Sequence, residues 1–371
     1  MSYFEALTKT ASLIHNSLFI SEKKAEFKNW NAWGWQLKNA IKDIPNAPQG
    51  LRSILRSYPI FVTPYYFSLI DKTNPNDPLA KQCLPQAREL KDKNSEEDPL
   101  RENKYMPVPW LVHRYPDRVL VNSSNMCAIN CRHCTRRREW IKGRVIRTLF
   151  EIDKMAYYVA RRPQIKDVVI SGGDPFLYST DRLEYIIKKF RDIRHVQIIR
   201  IGTRVPVVLP QRIDKPFVSM LKKYRPLWIN TQFNHPNEIT PDSRRACDQI
   251  LTAGIPMNNQ SVLLKGINDD AQVTIELCRK LLTMGIRPYY MYQCDVVKGT
   301  AHFRTPLKKG LEILKAMRGR VSGMAIPKFV IDLPQGGGKI PLEPKYLERR
   351  SKTRILFKNF EGNPIKYEDI G

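Results

Sequence analysis

From about residue 117 onward, short apolar runs alternate with segments whose apolar residues recur at helical spacing. A short apolar run between turn signals predicts a buried strand, and a 3.6-residue period predicts an amphipathic helix. The predicted strands cover residues 118–123, 167–171, 196–202, 228–233, 260–264 and 287–293. Six strands that alternate with helices indicate an α/β fold with a parallel sheet, formed as a barrel or as part of one.

Two of the intervening segments carry clear helix signals. Residues 180–190 have the apolar period of a helix, and 240–254 have it together with Thr240 as the cap, Pro241 at the first helical position and Gly254 at the end. In such barrels the chemistry lies at the C-terminal ends of the strands. Most of the unusual residues of this chain follow a predicted strand directly, so we expect the functional site there.

The first hundred residues follow a different pattern. Residues 27–41 mix aromatic and polar side chains at helix-like spacing, and 79–98 are charged and predicted to be an exposed loop or linker. We therefore expect a largely helical N-terminal extension over residues 1–105, a partial barrel over 106–320 and a short C-terminal segment over 321–371.

Composition excludes global disorder and leaves function open. The 371 residues include 62 Lys and Arg against 36 Asp and Glu, a net charge of +26, with 42% hydrophobic residues. The basic residues are scattered, which is typical of a solvated surface, although the charge keeps nucleic-acid binding as an alternative. The sequence has neither an apolar run of membrane-spanning length nor an N-terminal secretory signal, so we expect a cytoplasmic protein without membrane contact.

Three of the seven cysteines, Cys127, Cys131 and Cys134, fall within eight residues directly after the first predicted strand. Three thiolates on one loop suit an iron–sulfur cluster in which one iron lacks a protein ligand. A zinc ion would need a fourth ligand, and His133 is too close in sequence to Cys134 to reach the same ion easily. Three cysteines without a shared role are the remaining alternative.

The spacing C-x-x-x-C-x-x-C after the first barrel strand resembles the radical S-adenosylmethionine (SAM) superfamily. Residues 115–138 resemble the lysine 2,3-aminomutase family in particular, and the similarity runs from about residue 29 to 361. The other matching segments are 171–174, 234–238, 259–264, 302–306 and 336–339. The resemblance implies a partial (β/α)6-type TIM barrel with a helical N-terminal extension and a short C-terminal segment.

The resemblance also implies two of the cofactors. Cys127, Cys131 and Cys134 would bind a [4Fe-4S] cluster, and the open iron would hold SAM. The residues implied near SAM are His133, Gly172, Gly173, Asp174 and Gln260. Taken alone, a Gly-Gly pair after a strand is a turn and a strand-end glutamine is a satisfied core amide. Gln232 stands where the family often has histidine.

A third cofactor, pyridoxal 5′-phosphate (PLP), is implied at the C-terminal segment. Lys339 follows a glycine turn and aligns with the family lysine that forms a Schiff base with PLP, and Arg118 matches the arginine expected on its phosphate. The turn is not a Walker A sequence, since the first glycine and the Ser/Thr after the lysine are missing. Gln335 replaces the first of the four glycines that are common in the family.

The substrate residues implied by the family are Arg136 for the α-carboxylate and Asp295 and Asp332 for the terminal ammonium of lysine. A strand-end aspartate is otherwise usually a cap or turn residue. The implied activity is an isomerase that converts L-lysine to β-lysine, with a low-potential electron donor as partner. The family's structural zinc uses cysteines of a C-terminal tail, and because no cysteine follows Cys294 we expect no such zinc. The sequence leaves open whether the chain forms a homo-oligomer.

Three alternatives remain at this point. Within the family, the substrate is glutamate or arginine, or the product β-lysine serves to modify a translation factor. In a different class, the chain is a basic, cluster-bearing RNA-binding or RNA-modifying protein. Lys339 and Arg118 have no role in the RNA-binding or RNA-modifying hypothesis, so a covalently bound PLP would argue against it.

Overall fold

The computed structural model describes residues 29–44, 47, 49–92, 94–350 and 354–370. In this part of the chain, nine strands form one sheet in sequence order, with β2 to β8 parallel and β1 and β9 antiparallel at the two edges. Their bounds are β1 Leu111–Tyr115, β2 Arg118–Ser124, β3 Asp167–Gly172, β4 Ile198–Gly202, β5 Leu227–Thr231, β6 Met257–Leu263, β7 Arg287–Gln293, β8 Lys328–Leu333 and β9 Gly338–Leu342. All six predicted strands are confirmed as β2 to β7.

Helices connect the parallel strands, as the sequence pattern predicts. The described helices are α1 Trp33–Lys38, α2 Gln49–Ser57, α3 Pro64–Ser68, α4 Pro78–Cys83, α5 Leu149–Ala160, α6 Thr180–Arg191, α7 Val205–Val208, α8 Lys215–Lys222, α9 Pro241–Thr252, α10 Ala271–Thr283 and α11 Leu307–Met317. Thr240 caps α9 by accepting a hydrogen bond from the Ser243 amide, and Gly254 follows with φ of +75°. Six strand–helix units followed by β8 make a partial TIM barrel.

Successive side chains along each strand point in turn to the hydrophobic core and to the site. Ile170, Ile201 and Ile229 are fully buried in the hydrophobic core. Their neighbours Val169 and Arg200 line a cavity inside the curled sheet, because successive side chains of a strand point to opposite faces. The apolar runs therefore bury one face of the sheet and turn the other face toward the site.

From residue 29 onward the N-terminal extension is largely helical, and its residues 1–28 lie outside the described residues. The prediction that residues 79–98 form an exposed loop or linker is wrong in part. Helix α4 and a 3₁₀ helix, Ala87–Lys91, occupy the first half of this segment and bury Leu79, Cys83 and Glu89. The charged composition misleads because Glu89 has buried arginine partners farther along the chain. The part of the predicted 27–41 helix before residue 29 lies outside the described residues, and the domain boundaries at 105 and 320 stay predictions.

The C-terminal segment adds a small antiparallel sheet of β10 Leu347–Arg350, β11 Arg354–Lys358 and β12 Pro364–Glu368. Before it, β9 runs antiparallel to β8 and pairs Lys339 with Asp332. No helix within the described ranges combines the length and apolar character needed to cross a membrane. This segment thus contributes β8 with Asp332 and the edge strand β9 with Lys339 to the site.

Candidate active site

Two adjoining cavities lie on the inner side of the curled sheet, and the second lies at the C-terminal ends of the parallel strands. The first, of about 380 Å³, contains Lys339, and we refer to it as the lysine cavity. The second, of about 340 Å³, contains Cys127, Cys131 and Cys134, and we refer to it as the cysteine cavity. The two share Arg136, Gln260, Tyr292, Asp332 and Lys339 among their lining residues. The structure brings all thirteen of the predicted site residues to one cavity or the other: Cys127, His133, Cys131, Cys134, Arg136, Gly172, Gly173, Asp174, Gln260, Asp295, Asp332 and Lys339 in the cysteine cavity, and Arg118 in the lysine cavity.

The cysteine loop is built against the N-terminal extension. The Asn130 amide donates to the Phe61 carbonyl at 2.8 Å, and the Arg132 amide donates to the Gln82 carbonyl at 2.8 Å. Ile129 forms a bridge with Val62. The backbone that spaces the three cysteines is therefore held by residues 61–82, which the sequence pattern did not connect to it.

Buried arginines surround this loop. Arg132 Nη2 lies 2.5 Å from Glu89 Oε2 with both side chains fully buried, and Arg137 pairs with the same oxygen. On the opposite side, Arg204 Nη2 lies 2.6 Å from Glu238 Oε1. These three guanidiniums pair with the carboxylates of Glu89 and Glu238. Thiolates at the cysteines would add further negative charge beside them.

Arg204 also contacts a cysteine directly. Its Nη1 donates to Cys131 Sγ at 2.8 Å. Burial raises the pKa of the Cys127 thiol well above its ordinary value, and burial together with Cys131 raises that of Cys134 to about 11. A bound cationic core would be needed to keep these two sulfurs as thiolates at neutral pH.

The three thiols fit a four-iron cluster better than a single metal ion. No group of three or more His, Cys, Asp or Glu side chains among the described residues converges as ligands of one ion. A cluster attaches each cysteine to a different iron, so the three sulfurs line a common space without meeting at one point. The cysteine cavity provides such a space.

The Gly-Gly pair is required by close packing against the cysteine loop. Gly172 has φ of +119°, and a Cβ on Gly173 would collide with the backbone of Met126, the residue before Cys127. The Asp174 amide donates to the Met126 carbonyl at 2.6 Å. The pair thus sets the distance between β3 and the start of the cysteine loop.

Asp174 anchors a second loop. Its carboxylate accepts hydrogen bonds from Thr203 Oγ1 at 2.6 Å and from the Arg204 amide at 2.7 Å. Burial raises the pKa of this carboxyl despite those bonds. The Asp174 carboxylate oxygens are therefore hydrogen-bonded to the segment after β4, and Asp174 lines the cysteine cavity.

His133 lines the cysteine cavity and has one buried nitrogen without a partner among the described residues. Its Nε2 lies 3.0 Å from Gln232 Nε2 and 3.5 Å from Asn234 Nδ2. The Asn234 amide is oriented because its Oδ1 accepts from the Val262 backbone, so donors face Nε2 and the ring proton sits on Nδ1. Burial, with Arg204 and Arg137 nearby, lowers the pKa of His133, and Nδ1 has no partner among the described residues. His133 is therefore a neutral, buried imidazole beside the cysteines.

Lys339 is held by an ion pair across two strands. Its Nζ donates to Asp332 Oδ2 at 2.8 Å, and Arg114 Nη2 lies 3.0 Å from Asp332 Oδ1. Burial alone would lower the pKa of Arg114, but Asp332 outweighs burial and raises it. The carboxylate predicted to receive substrate thus already carries two cations in this structure.

Three arginines, Arg114, Arg118 and Arg200, line the lysine cavity. Arg200 Nη2 lies 2.8 Å from Asp167 Oδ2. Arg118 is 44% exposed, lies over the Tyr115 ring and contacts Asp117 at 3.1 Å. Three guanidiniums around one cavity fit a phosphate group, which accepts paired N–H bonds. Arg200 stands alone within an apolar strand, a signal from which the sequence could have singled it out.

The two remaining predicted residues have partners of different kinds. Asp295 Oδ2 accepts from Thr135 Oγ1 at 2.8 Å, and burial together with Asp332 raises its pKa to about 6. Arg136 Nε and Nη2 hold both carboxylate oxygens of Glu102, with contacts from 2.5 to 3.1 Å. Glu102 was absent from the residues that the sequence singled out.

Comparisons with known proteins agree with this geometry. Residues 121–278 match the radical SAM superfamily, and residues 314–369 match the family described as Lysine-2,3-aminomutase. The L-lysine 2,3-aminomutase of Clostridium subterminale is 48% identical over 352 residues, which cover 92% of this chain and 85% of that protein. The chain belongs to the lysine 2,3-aminomutase family. The predicted family is therefore confirmed, as is the prediction that the chain is an isomerase.

Relatives in the lysine 2,3-aminomutase family carry more than one substrate name. The L-lysine 2,3-aminomutase of Fusobacterium nucleatum is 46% identical, and the match covers 94% of this chain and 86% of that protein. The glutamate 2,3-aminomutase of Clostridioides difficile is 40% identical, and the match covers 92% of this chain and 83% of that protein. Membership implies a [4Fe-4S] cluster and SAM, and it leaves the amino acid to be argued from the site.

Gln335 is where this lysine 2,3-aminomutase family member departs from the expected glycine turn. The residue has φ of +61°, and its amide donates to the Pro99 carbonyl at 2.7 Å. Its side chain accepts from Arg101 Nε at 2.6 Å and donates to Glu96 Oε1 at 3.0 Å. The substitution thus connects the turn before Lys339 to the N-terminal extension.

Proposed function

We propose that this chain is a PLP-dependent radical SAM aminomutase that converts L-lysine to L-β-lysine. The observation that carries the proposal is the position of Lys339, which lines both the lysine cavity and the cysteine cavity. A lysine-bound cofactor there would hold substrate within reach of a radical generated next to the cluster. When bound, the cluster and SAM supply a 5′-deoxyadenosyl radical after reduction by a low-potential donor, and PLP carries the migrating amino group.

Different residues of the chain would bind the cluster and SAM. Cys127, Cys131 and Cys134 would hold the cluster. His133, Gly172, Gly173, Asp174 and Gln260 would surround SAM through the donor on His133, the glycine backbone and the amide of Gln260. This division follows the two cavities, because none of these residues except Gln260 lines the lysine cavity.

The lysine cavity supplies the second set of contacts. Lys339 is the attachment point for PLP, and Asp332 orients its amine through the 2.8 Å hydrogen bond. Arg118, with Arg114 and Arg200, would bind the phosphate. A closed site of this kind excludes water from a reactive radical and fixes the reacting atoms in place.

Charge favours lysine as the substrate. Arg136 would bind the α-carboxylate, and Asp295 and Asp332 offer carboxylates to a side-chain ammonium. The pKa of Asp295, about 6, leaves it ionised at neutral pH. A glutamate side chain would instead bring a like charge to Asp295, while Asp332 already pairs with Lys339 and Arg114. Arginine also carries a cation and differs chiefly in length.

Anaerobic product analysis tests the proposal. Reconstituted enzyme is supplied with SAM, PLP, a reductant and lysine, arginine or glutamate, and the products are identified by mass spectrometry. We expect β-lysine as the dominant product, and a β-amino acid formed faster from glutamate or arginine would contradict the substrate assignment. Borohydride reduction followed by peptide mapping should locate PLP on Lys339. Lys339→Ala should lose it and keep its iron, whereas the exposed Lys345→Ala should keep both.

A further inference from the structure

Glu102 of the N-terminal extension engages Arg136 inside the site. The carboxylate accepts from Arg136 Nε at 3.0 and 3.1 Å and from Nη2 at 2.5 Å, and the Glu102 side chain is only 8% exposed. Both residues line the lysine cavity and the cysteine cavity. A carboxylate of the chain itself therefore touches the arginine that the proposed function gives to the substrate's α-carboxylate.

The contact leaves part of the guanidinium available. Glu102 uses the side edge formed by Nε and Nη2, and Nη1 makes one long contact, 3.4 Å, with the Gly172 carbonyl. A guanidinium has five N–H donors, so its end edge, formed by Nη1 and Nη2, remains able to hold a second carboxylate. The substrate need not displace Glu102 to bind.

Glu102 is itself fixed by further bonds. Arg138 Nη2 donates to its second oxygen at 2.9 Å, and its backbone amide donates to Asp98 at 3.1 Å. Burial alone would raise the pKa of Glu102, but Arg136 and Arg138 lower it to about 2. The carboxylate is thus ionised at every working pH and held between two arginines.

We propose that Glu102 is a positioning residue that orients Arg136 for the α-carboxylate of the amino acid substrate. This proposal rests on the proposed function, in which Arg136 binds the α-carboxylate of the substrate. Arginine has a long side chain with several rotatable bonds, and fixing one edge of its guanidinium removes that freedom before substrate arrives. The N-terminal extension would in this way contribute to substrate recognition.

Binding to the loaded, unreduced enzyme tests the proposal without turnover. The dissociation constant is measured for L-lysine and for L-lysinamide, which lacks the carboxylate. Glu102→Gln should weaken L-lysine binding by about tenfold or more and L-lysinamide binding by less than about twofold, where tenfold corresponds to 1.4 kcal/mol. Glu102→Asp, which keeps the charge, should recover part of the loss. Glu97→Gln is the matched control, since that glutamate lies in the same segment with a 66% exposed side chain.

Each contrary outcome has a distinct meaning. Equal weakening for the two ligands would make Glu102 a structural residue, and tighter L-lysine binding would make it a competitor of substrate, and either result overturns the proposal. Arg136→Ala serves as the reference for the proposed function. If the parent favours L-lysine over L-lysinamide and Arg136→Ala abolishes that preference, the role of Arg136 stands whatever Glu102 does. If the parent shows no such preference, the role of Arg136 fails first.

Discussion

Asp295 makes substrate binding sensitive to pH. Its pKa of about 6 is raised from the ordinary value of 3.8 by burial and by Asp332, while Thr135 and Lys339 oppose the rise. Glu102 also faces it and, with a pKa of about 2, stays ionised. Asp295 is therefore charged at pH 7 and becomes neutral as the pH falls through about 6.

We predict that the KM for L-lysine rises as the pH falls below about 6, approaching tenfold per pH unit, because a neutral Asp295 cannot pair with the side-chain ammonium. Asp295→Asn should have a high KM at all pH values and lack this rise. The measurement is KM between pH 5 and 8, with circular dichroism to exclude unfolding. A KM that is flat across this range in the parent would show that Asp295 does not bind the cation.

At the scale of single elements, the turn that carries Lys339 depends on its contacts with residues 96–101. Gln335 adopts a left-handed backbone conformation that glycine adopts more easily. Its side chain gains two hydrogen bonds to that segment, beside the backbone bond to Pro99 that glycine would also make. Its neighbour Gly336 has no room for a side chain, since a Cβ there would collide with Tyr105. Compared with glycine, the glutamine restricts the backbone of the turn and attaches the turn to residues 96–101.

We predict that Gln335→Gly leaves the fold unchanged and accelerates hydrogen–deuterium exchange in residues 334–339 and 96–101. Glycine removes the side-chain bonds to Arg101 and Glu96 and widens the backbone choices of the turn. Gln335→Asn, which keeps an amide and tolerates the left-handed region, is the control and should change exchange less. Unchanged exchange in the glycine variant would show that these contacts do not restrain the turn.

The cysteine loop is held in place by the ion pairs of Glu89 with Arg132 and Arg137. Removing this carboxylate would leave Arg132 and Arg137 buried without their counterion, which costs about 3–5 kcal/mol in comparable buried pairs. We predict that Glu89→Gln lowers both the melting temperature and the iron content after reconstitution. Glu276→Gln, at an exposed ion pair on α10, should change neither. Full iron content in Glu89→Gln would contradict the role given to this contact.

The sequence predicted the elements well and their long-range contacts poorly. Strands β2 to β7 follow from apolar runs, and the cysteine loop follows from its spacing, because both signals are local. Glu89 and Glu102 were missed since their partners lie tens of residues away, and a charged run indicates exposure until those partners are known. Gly172 and Gly173 were singled out, but the backbone atoms that require them, of Ser124 for Gly172 and of Met126 for Gly173, became visible only in the fold.

At the scale of the whole molecule, the site closes where the two edges of the sheet meet. The Lys339 amide on β9 donates to the Tyr115 hydroxyl on β1 at 3.0 Å, and Arg114 on β1 pairs with Asp332 on β8. The N-terminal extension adds Leu100 and Glu102, and the barrel adds the cysteines. All three parts of the chain therefore contribute side chains to the same pair of cavities.

The central claim is that the cysteine cavity and the lysine cavity act as one radical active site on lysine. The most direct test supplies the reduced enzyme with L-lysine deuterated at the β-carbon and examines recovered SAM and β-lysine by mass spectrometry. We predict deuterium at the 5′ carbon of SAM and at C2 of β-lysine, since hydrogen taken from the β-carbon must pass through the adenosyl group and return to the carbon that the amino group leaves. Turnover of lysine to β-lysine that leaves SAM free of deuterium would contradict the claim.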